Sequence, residues 1–349
     1  MLPGAMAESR PGISVIIPVY NRAGLVVEAL GSVFGQSLVV AAESGDGGGG
    51  VGGRSASGGA TGEGGGSAEG AAATRLDPLV EVIVVDDGST DGTGAAVEAA
   101  AERAPASVAV RLELLGHSGY PGRVRNRGAS MARGELLAFL DADDLWLPEK
   151  LARQERLHRM HGYELTHTRE RWEREGRTIS QRKQRHRRQG FVFDESLVKC
   201  ILGPSTVMVC RSTFERVGGF REDVEIAEDY ECFLRLTDHV PVGYLSDELT
   251  VKRAGSGDQL SEKYGQIEGF RLQALQDLVD GGYWKDRPPL ARAAALELAR
   301  KCRIYAHGCR KRERAAEATQ HEEAAMQYEQ MARAYAEGAA SVDGGPGAG

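Results

Sequence analysis

The sequence predicts an α/β fold of the doubly wound kind, and three observations carry that prediction. Ile13–Val19 (ISVIIPV) and Val80–Val85 (VEVIVV) are apolar along almost their whole length and rich in β-branched residues, the signature of strands in a parallel sheet covered on both faces. Segments with apolar residues at helical spacing alternate with such strands. Acidic clusters, Asp86-Asp87 and Asp141-Ala142-Asp143-Asp144, stand directly after two of the strands, and open α/β sheets bind ligands beyond the carboxyl ends of their strands.

The elements follow in order. Residues 1–12 carry no pattern and read as a flexible N-terminus. After the first strand, Leu25, Val26, Ala29, Leu30, Val33 and Phe34 recur at helical spacing. The stretch from Glu43 to Ala73 comes next, and 14 of the 46 glycines fall between Gly45 and Gly70. Almost no large apolar side chain stands there to offset the entropy of ordering, so it reads as a flexible insertion between the first helix and the second strand. In the inferred fold that connection closes at the amino ends of the strands, away from the expected site. Asp91–Ala104 is an alanine-rich helix, Val108–Leu114 a strand, Gly122–Arg133 a helix and Glu135–Leu140 (ELLAFL) a strand. Pro148 opens a helix reaching about His161, since proline suits a first turn. Mixed runs from Tyr163 to Ser180 flank Glu175-Gly176 as a hairpin. Thr206–Cys210 is a strand, Glu228–Thr237 a helix, and Val242–Leu245 and Leu249–Arg253 two short strands. From about Ser261 the chain is mostly helical, with Ala291–Ala306 and Glu313–Ala336 as a helical pair. The expected organisation is one domain over 13–255 with 43–73 inserted, a helical region over 256–338, and a loose tail over 339–349.

Composition narrows the function classes. With 41% hydrophobic and 27% charged residues the chain is globular in kind, and its glycines follow no Gly-X-Y period, which excludes collagen. A formal net charge of −7 argues against nucleic acid as a partner. The 5 cysteines form no C-x-x-C and read as reduced thiols of a cytoplasmic protein, with Cys302 and Cys309 as buried small side chains on one helix. No apolar run of about 18 residues offers a membrane span, and Met1–Pro11 lacks a secretory pattern.

The segment Asp86 to Asp91 (DDGSTD) can accept hydrogen bonds from a base N–H or a ribose hydroxyl, and the same residue types suit a capped helix start. Asp141 and Asp143 are two apart in extended chain and point the same way, so they can converge on one ion; hard carboxylate oxygens suit Mg²⁺ or Mn²⁺ bridging to a diphosphate. A polar turn before the Pro148 helix is the plainer alternative. Glu228-Asp229 opens a helix on which adjacent positions lie about 100° apart, so one of the two faces a site. That one serves either as a general base or as an acid favoured by the helix dipole. Arg125, Asn126 and Arg127 follow Gly119 and Gly122; an arginine there can hold phosphate and the asparagine can order a loop, or all three lie on an exposed face. The nine Lys and Arg residues between Arg169 and Arg188 suit a phosphorylated acceptor, a membrane surface, or simply a solvated hairpin.

At these residues the sequence resembles family 2 glycosyltransferases with the GT-A fold. Five blocks match in order: Ser14 to Arg22 (SVIIPVYNR), Val84 to Thr93 (VVDDGSTDGT), Arg125 to Gly128 (RNRG), Gly134 to Lys150 (GELLAFLDADDLWLPEK), and Gly218 to Leu236 with its EDYECFLRL core. The resemblance covers about Ile13 to Arg253 apart from the glycine stretch. It implies a doubly wound mixed sheet, here with a helical C-terminal extension. It also implies an inverting transfer of a sugar from a nucleoside diphosphate sugar, UDP-linked, to a hydroxyl on a glycan or lipid-linked acceptor, in cell-surface polysaccharide or lipopolysaccharide synthesis. By that resemblance Pro18, Tyr20 and Arg22 lie near the base and phosphates, and Asp87 binds the base edge. Asp143 holds Mn²⁺ or Mg²⁺, Asp141 contacts ribose or the metal shell, and Asp229 is the catalytic base. Arg125, read above as a phosphate-holding residue, completes the nucleotide-sugar set. The metal would stabilise the leaving diphosphate and the base would activate the attacking hydroxyl.

Two departures matter. The chain has no Q-x-x-R-W block of the processive synthases, so one sugar per event is expected. No histidine stands in Val251 to Asp258, where many metal-dependent relatives place a further ligand; Lys252 or Arg253 can supply phosphate charge instead. A rival reading as a sugar nucleotidyltransferase would want a glycine-rich loop after the first strand, where Pro18-Val19-Tyr20-Asn21-Arg22 stands. A second rival, a catalytically dead domain that binds partners through its C-terminal helices, sits poorly with an intact Asp87, Asp143 and Asp229. The expected location is cytoplasmic, peripheral at the inner membrane face where the acceptor is lipid-linked.

Overall fold

The computed structural model describes residues 12–43, 79–174, 176–180, 188–253 and 267–343, with burial described to residue 337. The insertion expected over 43–73 lies outside these residues except for Glu43, as do most of the N-terminus and the last residues of the tail.

Among the described residues the strands form one 9-stranded sheet. β1 (Ile13–Val19), β2 (Val80–Asp86), β3 (Val108–Leu114) and β4 (Leu136–Phe139) pair in parallel in the order β3-β2-β1-β4. Successive side chains alternate between faces: Ile16, Ile83 and Val85 enter one core, Val15, Ile17, Val82 and Val84 the other. α1 (Ala23–Phe34) and α3 (Thr93–Ala101) cover the second face through Val26, Leu30 and Val97. α4 (Pro121–Met131) covers the first through Val124 and Ala129. Both faces are dry, which is why β1 and β2 show almost no polar alternation. Close packing of α4 on β1 depends on Gly128, since a Cβ there would meet Ile16 Cγ2 at 2.5 Å. A short helix, α2 (Ser37–Glu43), extends the first crossover.

Beyond β4 the sheet is mixed. The chain continues through β5 (Leu145–Trp146), α5 (Lys150–His161), β6 (Leu165–Arg174), β7 (Arg177–Ile179), α6 (Phe193–Val198), β8 (Val207–Cys210), α7 (Arg211–Arg216), α8 (Glu228–Thr237) and β9 (Val242–Arg253). β8 runs antiparallel to both β4 and β6, and β9 lies parallel to β6. Two reversals restore the original direction. The carboxyl ends of β6 and β9 therefore reach the same edge of the sheet as those of β1–β4. The expected hairpin is present as β6 against β7. α5 begins at Lys150 rather than Pro148, whose carbonyl accepts from Ser37 N at 2.7 Å.

The two strands expected over 242–245 and 249–253 are one, β9. Its register against β6 slips between Thr168 and Arg169 and again between Arg169 and Glu170, so the polar residues Ser246 and Asp247 bulge out without ending the strand. The C-terminal helices α9 (Ile267–Asp280), α10 (Pro288–Lys311) and α11 (Ala315–Asp343) share a third core with α8, in which Tyr230, Leu234, Leu275, Trp284 and Leu298 are buried together. Cys302 and Cys309 are buried there or close by, and all five cysteines are free thiols. Among the described residues no helix is long and apolar enough to cross a membrane.

Candidate active site

A cleft of about 690 Å³ opens at the carboxyl edge of the sheet. Every site residue expected from the sequence lines it: Pro18, Tyr20 and Arg22 after β1, Asp87 after β2, Arg125 on α4, Asp141 and Asp143 after β4, and Asp229 on α8. Glu228 lines it too, so the two carboxylates at the start of α8 are divided by their partners rather than by direction alone.

The DDGSTD segment does the capping and turn-closing that its residue types allow. Asp86 Oδ1 accepts from Ser89 N at 2.8 Å and closes a local turn. Asp91 accepts from Ala23 N at 3.2 Å and Thr93 N at 3.0 Å, tying the starts of α1 and α3 together. Asn21 and Ser89 clamp the loop after β1 to this segment: Thr90 N donates to Asn21 Oδ1 and Asn21 N to Ser89 Oγ, each at 2.8 Å. Asp87 is buried and turns instead toward the loop after β3. Its Oδ1 accepts from Ser118 N at 3.0 Å and Ser118 Oγ at 2.8 Å, and its Oδ2 from Gly119 N at 2.9 Å. The loop comes this close because Gly88 has φ +81 and no Cβ; one built there would lie 2.6 Å from His117 N. The loop presents His117, whose ring stacks on Tyr20 with centroids 4.1 Å apart and planes 18° from parallel. His117, Trp172 and Glu225 also line the cleft, and sequence reasoning singled out none of them. The signal for His117 was position, three residues beyond a third strand end, at the edge where the other site residues were sought.

Arg125 differs from a phosphate clamp. Its guanidinium, 6% exposed, donates to Asp141 Oδ1 at 2.7 Å and to Glu228 Oε1 at 2.5 Å. Burial alone would favour losing the charge, but Asp141 and Glu228 outweigh it and raise the arginine pKa further. Arg125 is thus a strut between the end of β4 and the start of α8. Asn126 orders a loop, as one reading of the sequence expects: its side chain donates to Phe220 O at 2.8 Å and accepts from Phe220 N at 2.9 Å.

Beside the strut, β9 delivers Lys252 and Arg253. Lys252 Nζ lies 3.4 Å from Asp144 Oδ2 and 3.9 Å from Asp141 Oδ2. Burial opposes the ammonium, while Asp144 and Asp141 hold it charged and raise its pKa. Burial likewise works against Asp141, yet Arg125 and Lys252 keep its carboxyl below the usual carboxylate range. Arg253 Nε donates to the Asp143 carbonyl at 2.6 Å. Asp144 is held deeper, accepting from Ser205 Oγ at 2.5 Å. Asp229 is partly exposed on the first turn of α8, behind Ala227, which takes φ +68 without being glycine. Such backbone clusters at functional sites.

Asp141, Asp143 and Asp144 offer the hard oxygens a divalent ion wants, though no group of three or more His, Cys, Asp or Glu is arranged to hold a metal among the described residues. The cleft nevertheless fits such an ion. Its carboxylates outnumber its lysines and arginines, so an incoming diphosphate needs further positive charge. Mg²⁺-type ions commonly bind through one or two carboxylates, with substrate phosphates and water completing the shell.

Residues 71–217 match the family described as Glycosyl transferase family 2. That stretch, less than half of the chain, is similar to the family. The succinoglycan biosynthesis protein ExoO of Rhizobium meliloti is 45% identical over 74 residues, which are 21% of this chain and 20% of that protein. An uncharacterized glycosyltransferase of Rickettsia felis is 24% identical over 245 residues, 70% of this chain and 33% of that one. The chain spans about a fifth to a third of the length of the curated relatives it matches first. Among solved structures, S. aureus TarS 1-349 in complex with UDP-GlcNAc superposes with a TM-score of 0.55 at 18% identity, covering 90% of this chain and 91% of that one. Mannosyltransferase PcManGT from Pyrobaculum calidifontis, in complex with GDP-Man and Mn²⁺, gives 0.51 at 19% identity, covering 92% and 88%. Both likenesses bear on the fold, which is the GT-A fold.

Proposed function

We propose that this protein is an inverting, non-processive glycosyltransferase that moves a sugar from a nucleoside diphosphate sugar, UDP-linked, to a hydroxyl of a glycan or lipid-linked acceptor in cell-surface polysaccharide synthesis. One observation carries the reading. A single cleft gathers the loop after β1, the Asp141–Asp144 turn and the Asp229 end of α8, and Arg125 bridges the last two. The nucleotide sugars in TarS and PcManGT support a donor of this class.

The loops after β1 and β3 hold the nucleoside. Lys252 and Arg253 face the diphosphate. Asp143, with Asp141, would hold Mn²⁺ or Mg²⁺, which supplies charge for the leaving diphosphate. Asp229 accepts the proton of the acceptor hydroxyl as its oxygen attacks the anomeric carbon from the face opposite the diphosphate. The anomeric C–O bond breaks, the nucleoside diphosphate leaves, and the configuration inverts in one step. The protein works in the cytoplasm, and a lipid-linked acceptor would bring it to the inner membrane face.

The test is a turnover screen of UDP-, GDP-, CDP- and dTDP-sugars with Mn²⁺, Mg²⁺ or EDTA. Release of one nucleoside diphosphate in metal, suppressed by EDTA, is expected. No turnover or binding of any nucleotide sugar would refute the reading.

A further inference from the structure

An acceptor hydroxyl can meet Asp229 only if the rest of the acceptor has a surface to lie on. The transfer described above leaves one such surface unused, at the outer end of the cleft. Resting on the reading of the cleft as a sugar-transfer site, we propose that Trp172 and Ile179 form a ledge on which a pyranose ring of the acceptor packs. The acceptor is then recognised as a glycan, whatever carries it.

Strand register builds the ledge. Trp172 on β6 stands opposite Lys252 on β9 and Ile179 on β7. Residues opposite one another in a ladder share a face, so the three side chains form one row across three strands. Lys252 and Trp172 line the cleft, and the row carries the surface outward to Ile179, which is 38% exposed. Trp172 is half-buried, and its indole N–H donates to Glu170 Oε1 at 2.7 Å, which fixes the ring and satisfies its one polar atom. Along β6 the next residues on the same face are Glu170 and Arg174. The apolar surface is therefore two side chains wide, with charged groups on three sides. An acyl chain needs a longer apolar run. A pyranose ring suits this frame: C–H bonds gather on one face and pack on an aromatic or aliphatic surface, while the hydroxyls lie around the rim within reach of charged groups. The ledge also lies near the assigned base. Cys200 Sγ is 4.0 Å from Asp229 Oδ2, and a Cβ at Gly203 would lie 3.5 Å from Glu170 Oε2. The three residue steps between Cys200 and Gly203 span at most about 10 Å.

The protein carries its own reporter. Of its 3 tryptophans, Trp146 and Trp284 are 3% and 2% exposed, so acrylamide quenching of the full chain reads Trp172. Quenching is measured in UDP and Mn²⁺ with the methyl glycosides of glucose, galactose, mannose and N-acetylglucosamine, and with glycerol and hexanoate as a polyol and an acyl-chain probe. At least one glycoside should lower the quenching constant by about twofold or more, because a bound ring covers the indole, while glycerol and hexanoate leave it unchanged. Ile179→Ser trims the ledge and keeps the reporter. It should raise the half-protecting glycoside concentration at least about threefold, the scale of lost apolar contact, with UDP affinity within about twofold of wild type. The proposal is overturned if no glycoside protects, if hexanoate or glycerol protects as well, if Ile179→Ser protects like the wild type, or if Trp172→Phe keeps the quenchable emission. UDP binding without glycoside protection would refute the ledge alone. Failure to bind any of the UDP-, GDP-, CDP- or dTDP-sugars would refute the transferase reading, and the ledge would then stand or fall as a sugar-binding surface on the glycoside result.

Discussion

Arg125 and Glu228 stand 103 residues apart in sequence and meet in a buried ion pair at 2.5 Å, joining the helix that follows β3 to the helix that carries Asp229. Both side chains are under a tenth exposed, so neither charge has water to fall back on. Removing the cation alone strands Glu228 and unbalances Asp141. Arg125→Met should therefore cost about 3–5 kcal/mol of stability, measured by urea denaturation. Arg125→Lys should recover part of it, because one ammonium cannot serve both carboxylates as a guanidinium does. A loss below about 1 kcal/mol for the methionine variant would mean that the strut carries little.

Asp229 and Glu228 are adjacent, yet their surroundings separate their roles. Glu228 is committed to Arg125, while Asp229 keeps partial exposure to the cleft. Asp229→Asn removes the basic oxygen with almost no change in volume. We expect turnover to fall by about 10²–10⁴-fold, the usual worth of general-base catalysis, with nucleotide affinity within about twofold of wild type. Unchanged turnover would remove Asp229 from its assigned role; an equal loss of nucleotide affinity would make it a binding residue.

The parallel half of the fold was legible because its signals are local. An apolar run such as Val80–Val85 can be buried on both faces only as an interior strand, and the acidic turns after β2 and β4 mark the ligand edge by position. Partner choice was not legible. Nothing in the motif RNRG says that Arg125 spends its charge on Asp141 and Glu228, because those carboxylates arrive from 16 and 103 residues away. Lys252 could be named from the sequence as a phosphate cation. Its place beside Asp144 depends on the two strand reversals that return β9 to the parallel direction. β9 itself was split in two because bulged polar residues look like a turn when only the sequence is read.

Residues 46–72 can be deleted to test their relation to the cleft. β2 begins at Val80 on the amino edge of the sheet, where it pairs with Ile13, while the cleft lies at the carboxyl edge. Loop-closure entropy changes only slowly with length, by about 0.6 kcal/mol per doubling. The shortened protein should melt within a few degrees of the wild type and bind UDP with unchanged affinity. A collapse of binding would tie this segment to the cleft.

His158 should give the fold a measurable acid sensitivity. It sits on the buried side of α5, with Nε2 3.0 Å from Thr166 Oγ1 and Nδ1 3.9 Å from Cys210 Sγ. Burial lowers its pKa from the ordinary value of 6.5, against smaller opposing contributions from the Tyr163 and Met208 backbone. Between the lowered folded value and 6.5 the unfolded chain binds the proton and the native chain does not. Stability is therefore fully present above about pH 6.5 and falls as the pH drops through that window, at no more than about 1.4 kcal/mol per pH unit for one proton. His158→Gln keeps a hydrogen-bonding side chain that does not titrate. The difference in unfolding free energy between the two proteins, measured in urea at pH 5, 6 and 7, should shift in favour of the variant as the pH falls. A difference independent of pH would show that His158 takes up its proton equally well in the folded protein.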